Sequence, residues 1–382
     1  MPRTILMVLD GCGIGPMPDA PSFGDAGENE GSTLPNTARA VGGLDLPTLG
    51  SMGLGNIEPI LGVDPVENPI ADYGKCGFRS IGKDSVTGHW EMMGVILDRP
   101  LPTYPNGFPT ALIREYEKRI GTQTLGNRPA SGTEIIAQMG QLHVETGFPI
   151  VYTSADSVFQ VACHEAIVPI DKLYEYCQIA RGLLVGEHGV GRVIARPFED
   201  NPNGGFGRTE RRKDFPLPPP RNLLDDLAEA GVKVCGLGVV PELFAGRGFA
   251  YTERTQSNPE HWDALCRALE RDEPFIFVNF EDFDMLYGHR NDPQGFAKAL
   301  EEFDARLADF LQAMPKDCEL IVTADHGNDP TTPSTDHSRE YVPLLWHRPG
   351  EPGRCLGVID TLSTIAEAVR RSFSCGEGLE RF

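Results

Sequence analysis

The sequence predicts an α/β protein: a three-layer core built on a mostly parallel β-sheet, with a smaller α/β cap domain inserted into it. Three observations carry that prediction. Short apolar runs alternate with stretches of helical periodicity. Three of those runs end at or near an aspartate. A proline-bounded segment in the middle of the chain separates the two halves of that pattern.

The first strand is expected at 5–9, an apolar run that stops at Asp10. This run is too short for a secretory leader and lacks a small-residue cleavage site. Further buried strands are expected at 150–152, 232–240, 275–280 and 320–324, because parallel strands covered on both faces read as continuous apolar runs. Helices are expected at 222–230, with Gly231 as its stop, and at 262–269, 296–314 and 361–373. In the third of these, Phe296, Leu300, Phe303, Leu307 and Leu311 recur at threes and fours, the spacing of one helix face. The segment 97–222 opens with Pro100, Pro102, Pro105 and Pro109 and closes with Pro216, Pro218, Pro219 and Pro220. It is read as the inserted domain, leaving 1–96 and 223–382 as a discontinuous core domain; long loops of that length are rare. A chain of 382 residues is long enough for both.

Composition narrows the function. A formal net charge of −21 argues against nucleic acid and anionic membrane as partners. No apolar run reaches the ~20 residues of a membrane span. Nine scattered cysteines without a CxxC pair point to reduced thiols and a cytoplasmic location, not to a disulfide framework. An acidic chain that binds phosphate needs local positive charge, from metals or clustered arginines.

The strand-end aspartates supply such a place. Ligands of open α/β sheets bind beyond the carboxyl ends of the strands, so residues distant in sequence converge there. Asp10 follows the first strand. Asp284 and His289 follow the 275–280 run. Asp325 and His326 sit in Thr323-Ala324-Asp325-His326-Gly327-Asn328, and His337 comes eleven residues after His326. Three carboxylates and three imidazoles suit Mn²⁺, Zn²⁺ or Fe²⁺, and six ligands can hold two ions. Singly, each is an ordinary cap, turn or packed side chain; the joint pattern makes them a candidate dinuclear site. The candidate nucleophile is Thr87 in Asp84-Ser85-Val86-Thr87-Gly88-His89-Trp90-Glu91, with a helix expected to start near Gly88 and aim its N-terminus at a phosphate. Ser85 is the rival hydroxyl. A capping box from Ser85 or Thr87 to Glu91 is the purely structural alternative.

At these residues the chain resembles the alkaline phosphatase superfamily, and within it the phosphopentomutase family over nearly its whole length. The matching segments include Gly13-Ile14-Gly15-Pro16-Met17-Pro18-Asp19-Ala20, the 84–91 segment, Tyr152-Thr153-Ser154-Ala155-Asp156-Ser157-Val158, Gly191-Arg192-Val193-Ile194-Ala195-Arg196-Pro197-Phe198 and Asp336-His337-Ser338-Arg339-Glu340-Tyr341. The resemblance implies an alkaline phosphatase-like core and interconversion of ribose 1-phosphate with ribose 5-phosphate, and of the 2-deoxyribose pair. It implies two Mn²⁺ ions, with Zn²⁺ or Mg²⁺ also accommodated. One ion would be held by Asp10, Asp325 and His326 beside a phosphorylated Thr87, the other by Asp284, His289 and His337. A sugar bisphosphate would be both intermediate and activator. Ser154, Arg192 and Arg208 would hold the distal phosphate of the pentose phosphate, and Asp156 would contact the sugar. Of the basic residues at 192–213, Arg211 and Lys213 are read as solvated surface charge. One position departs from the family: Val239 stands where a lysine is common, with Arg247 the nearby candidate substitute. A plain phosphatase, or a mutase of another sugar phosphate or of phosphoglycerate, is the alternative activity. Oligomeric state is left open, a monomer being the expectation.

Overall fold

The computed structural model describes residues 3–154, 157–202 and 204–375. The chain divides into two compact units: Met1–Pro100 with Pro219–Phe382, and Leu101–Pro218. The second unit lies within the segment read as an insertion.

The strands in chain order are β1 (Arg3–Leu9) and β2 (Asp72–Cys76), followed in the second unit by β3 (Leu125–Pro129), β4 (Ile150–Thr153), β5 (Val158–His164), β6 (Arg192–Asp200), β7 (Phe206–Arg208) and β8 (Lys213–Pro216). The first unit resumes with β9 (Val234–Leu237), β10 (Tyr251–Glu253), β11 (Phe275–Phe280), β12 (Cys318–Thr323), β13 (Val342–His347) and β14 (Cys355–Ile359).

In the first unit eight strands form one sheet in the order β10-β9-β11-β1-β12-β13-β2-β14. Only β13 runs against its neighbours, antiparallel to both β12 and β2; the other pairings are parallel. The apolar run of β1 is buried from Thr4 to Leu9 because it lies at the middle of the sheet. Its register aligns Leu9 with Phe280 of β11 and Val8 with Thr323 of β12. Asp10, Asp284 and Asp325 therefore leave the same sheet edge, which explains how three distant sequence motifs meet.

The long helix Pro293–Ala313 buries Phe296, Leu300, Phe303 and Leu307, the face its periodicity predicts. Asp292 caps it, accepting from the Gly295 amide at 2.9 Å. Trp262 of the helix Asn258–Leu269 packs its ring against Phe280 of β11 and Phe303, at 4.9 and 5.0 Å between centroids, which fixes the helical layer to the sheet.

Several expected boundaries shift, the helix expected at 262–269 beginning already at Asn258. The run read as a strand from 232 to 240 is strand only from Val234 to Leu237, because Val240 and Pro241 begin a short helix, Val240–Leu243. The expected helix at 361–373 begins at Thr364. Strand β2 carries no apolar run; alternate burial inside a sheet, not intrinsic propensity, makes Asp72–Cys76 extended.

In the second unit β3 to β7 are neighbours in that order, and β8 pairs with β6. Here β4 is parallel to β3 but antiparallel to β5. One apolar cluster gathers Val151, Phe159, Val161 and Val193 with Tyr116 and Leu173; a second gathers Ile150, Tyr152 and Phe198 with Ile135 and Ile136. All nine cysteines are free, and only Cys266 and Cys355 are exposed. No helix of the described residues is long and apolar enough to cross a membrane.

Candidate metal centre

The strand ends of the first unit bring the six predicted ligands together. His326 Nε2 is 3.3 Å from Asp10 Oδ1 and 3.3 Å from Asp325 Oδ2. Asp284 Oδ2 is 3.1 Å from His289 Nε2, and Asp284 Oδ1 is 3.4 Å from His337 Nε2. The Nε2 atoms of His289 and His337 are 3.2 Å apart. Two groups have ligand atoms all within 4.8 Å of one another: Asp10 with Asp325 and His326, and Asp284 with His326 and His337. His326 therefore belongs to both, which the sequence pattern does not reveal. His289 joins the second group through its contacts with Asp284 and His337.

Local backbone makes this approach possible. Gly11 has φ 75°, and a Cβ there would lie 3.1 Å from Asn328 Cβ and 3.2 Å from Asp284. A Cβ on Gly88 would lie 2.0 Å from the Asp325 carbonyl oxygen, so only glycine lets the Thr87 helix pass this close.

Three further residues orient the ligands. Asn279 Nδ2 donates to Asp10 Oδ2 at 2.6 Å, and Asn328 Nδ2 donates to Asp284 Oδ1 at 2.7 Å. His89 Nδ1 lies 3.3 Å from Asp325 Oδ2. Sequence reasoning misses their roles, although Asn279 is the one polar residue in the buried run Phe275–Phe280. His289 Nδ1 faces the Thr335 carbonyl at 2.8 Å and His326 Nδ1 faces that of Gly327 at 3.2 Å. A nitrogen facing a carbonyl oxygen carries the hydrogen, which in the neutral ring leaves Nε2 as the atom able to bind an ion.

The electrostatics fit a cation. Burial, and after it the charges of Asp325 and Asp284, push the Asp10 carboxyl well above its usual range. Burial would also raise Asp284, but His289 and His337 outweigh it and hold that carboxyl well down. Burial opposes the charge on His337, yet Asp284 raises the ring to about 9. Burial lowers His326, favouring the neutral ring a metal binds. Asp10 Oδ1 and Asp325 Oδ2 are buried without a hydrogen-bond partner. Such atoms are costly unless something positive meets them, and carboxylate and imidazole donors of this kind fit a divalent ion.

Thr87 lies on the helix Ser85–Met92, which begins three residues before the expected start. Asp84 is its N-cap, accepting from the Thr87 amide at 3.1 Å. The Thr87 hydroxyl donates to Asp84 Oδ2 at 2.6 Å, and the residue is 1% exposed. Ser85 Oγ lies 3.0 Å from His326 Nε2. The capping box to Glu91, the purely structural alternative, does not form. Glu91 instead accepts from the Arg79 and Ser80 amides and the Thr361 hydroxyl, at 2.9, 2.8 and 2.7 Å. Thr87, Asp84, Asp325 and His326 line one cleft with Phe78 and Gly82.

Two buried side chains hold the loops around it. Arg339 donates to the carbonyls of Phe78, Ser80 and Gly82 at 3.0, 2.8 and 2.7 Å, tying the His337 loop to the segment that leads into Asp84. Glu340 accepts from the Gly15 and Thr33 amides at 3.1 and 2.9 Å and from the Thr33 and Ser338 hydroxyls at 2.7 Å each. Burial, with the nearby Asp329 charge, nevertheless raises its carboxyl from 4.5 to about 7. A carboxyl raised on folding adds stability that is complete below its unfolded pKa and is lost as pH rises through the folded value. Unfolding should therefore become easier between pH 4.5 and about 7. Glu340→Gln should flatten that slope, as followed by denaturant titration across the range.

In the second unit the two predicted phosphate-binding arginines sit on β6 and β7. Arg208 Nη2 donates to Thr133 Oγ1 at 3.0 Å, and Arg192 Nη1 is 3.7 Å from Asp214 Oδ2. Ser154 follows β4, and Asp156 lies outside the described residues. Arg211 pairs with Glu165, while Lys213 Nζ lies over the Tyr174 ring at 4.9 Å. Arg247, the candidate substitute for the family lysine, lies against the start of a helix. Its Nη2 is spent on the Pro220 carbonyl and on Asp225, at 2.7 and 2.9 Å, where it steadies the start of the helix Leu223–Glu229.

A sequence profile of the Metalloenzyme superfamily matches residues 239–375. A phosphopentomutase of Dictyoglomus thermophilum is 55% identical over 98% of this chain and 95% of its own. Another, from Carboxydothermus hydrogenoformans, is 50% identical over 99% of this chain and 97% of its own. The chain belongs to the phosphopentomutase family. With it, the chain is an isomerase. Among solved structures, the PH0037 protein of Pyrococcus horikoshii shares the fold, with a TM-score of 0.50, 15% identity and coverage of 100% of this chain and 99% of its own. The Metalloenzyme match spans Asp284, His289, Asp325, His326 and His337. Asp10 and Thr87 lie outside it and reach the cluster only through β1 and the helix Ser85–Met92.

Proposed function

We propose that this chain interconverts ribose 1-phosphate and ribose 5-phosphate, and the 2-deoxyribose pair, through a phosphorylated Thr87 and a sugar bisphosphate. The observation that supports this reading is the meeting of Thr87 with Asp325 and His326 around one cleft, in a chain 55% identical to a named phosphopentomutase.

Asp10, Asp325 and His326 are assigned one divalent ion, and Asp284, His289 and His337 a second; Mn²⁺ is the proposed metal. Bound there, the ions would supply the positive charge that phosphoryl transfer needs on its peripheral oxygens. Phosphorylated Thr87 passes its phosphoryl group to the free hydroxyl of the sugar phosphate, giving the bisphosphate. The bisphosphate turns round and returns its other phosphoryl group to Thr87. A trace of bisphosphate primes an unphosphorylated enzyme. Ser154, Arg192 and Arg208 are assigned the distal phosphate, to which a guanidinium offers paired donors, and Asp156 the sugar. The enzyme is read as cytoplasmic and monomeric.

Phosphorus NMR tests this directly. The Mn²⁺-loaded protein, given ribose 1-phosphate and a trace of bisphosphate, should form ribose 5-phosphate without inorganic phosphate. Inorganic phosphate as the main product would make the enzyme a hydrolase.

A further inference from the structure

Asp84 touches the proposed nucleophile and is not among the residues assigned to metal. Both of its carboxylate oxygens close on Thr87: Oδ2 accepts from the hydroxyl at 2.6 Å and Oδ1 from the amide at 3.1 Å. The first is the short separation of a hydroxyl on a charged acceptor. Among the described residues no cation forms an ion pair with Asp84. Its neighbour Lys83 is directed elsewhere, to Asp25 at 2.9 Å and Asp336 at 3.2 Å.

The hydrogen in that short bond is the one phosphorylation removes. When the Thr87 Oγ1–P bond forms and the bisphosphate's P–O(sugar) bond breaks, the proton lost from Oγ1 is balanced by the one gained on the sugar oxygen. Asp84 itself neither gains nor loses a proton in this balance. Before the exchange it holds a donor. Afterwards it faces an ester oxygen with nothing to donate and a group carrying about two negative charges.

We propose that Asp84 is a charge latch on the nucleophile: it stabilises the unphosphorylated Thr87 hydroxyl, opposes the phosphothreonine, and so drives delivery of the phosphoryl group to the sugar. This rests on Thr87 being the nucleophile. A plain N-cap would be served equally by asparagine or serine, so neutral capping residues separate charge from capping.

The experiment is intact-protein mass spectrometry on the Mn²⁺-loaded enzyme and on Asp84→Asn and Asp84→Ser, each equilibrated with ribose 1,5-bisphosphate and then chased with ribose 5-phosphate. Both variants should melt within a degree or two of the parent. Each should raise the ratio of phosphorylated to unphosphorylated enzyme by about thirtyfold, the effect of a unit charge roughly 4 Å from a doubly charged group in water, and should discharge more slowly in the chase. An unchanged ratio in a folded variant would overturn the latch and reduce Asp84 to a cap. Thr87→Ala runs alongside: phosphate still appearing on that variant refutes the nucleophile assignment itself and leaves the latch without an object.

Discussion

Thr87→Ala should lose turnover of ribose 1-phosphate by about 10⁴-fold or more, the scale on which removing a covalent nucleophile acts. Ser85→Ala is the informative control. Its hydroxyl lies 3.0 Å from His326 Nε2, so it shares the site, but it lies farther up the first turn of the helix, and Asp84 engages Thr87 instead. The expected loss for Ser85→Ala is about tenfold or less, the scale of one hydrogen bond at a site that keeps its charges. Steady-state rates and mass-spectrometric phosphate content on both variants decide the matter. A dead Ser85→Ala beside a phosphorylated, active Thr87→Ala would reverse the assignment. Melting temperatures should stay close to the parent in both, because neither change opens a large cavity.

His326→Ala should lose one of the two proposed ions and His289→Ala the other. His326 Nε2 faces Asp10 and Asp325, whereas His289 Nε2 faces Asp284 and His337. Elemental analysis after gel filtration should find one ion retained in each variant. Activity should fall by about 10³-fold or more in the first, since charge stabilisation is the larger part of phosphoryl-transfer catalysis. Stability should follow. Ions that bind only the folded chain stabilise it by mass action, and without them Asp10 and Asp325 keep buried oxygens that nothing satisfies. Chelation should therefore lower the melting temperature of the parent clearly and that of His326→Ala less. Full metal occupancy in either variant would dismiss that histidine as a ligand.

Much of the site is legible in the amino-acid sequence, for a definable reason. An apolar run that halts at an aspartate, as at Leu9-Asp10 and Ala324-Asp325, is a local signal, and the parallel-sheet rule turns several such signals into one location. The same local logic finds the buried face of Pro293–Ala313. It is weaker where a residue's partner is local but ambiguous. Asp84, Ser85 and Thr87 all suit a helix start, and only the folded chain shows that Asp84 takes the cap and leaves both hydroxyls inside the first turn.

Runs and motifs a few residues long establish the α/β class, the metal-binding residue types and the candidate hydroxyls, and their resemblance to known sequences establishes the family. Which atoms meet is settled by the folded chain alone. It pairs Asn279 with Asp10 across 269 positions and Ser85 with His326 across 241. It places His326 within reach of both ligand groups, turns β13 against its neighbours and commits Arg247 to a helix start. Contacts of that kind depend on strand order and register, which no periodicity of three or four residues encodes. Their energy comes from burial that exists only once the sheet has closed around them.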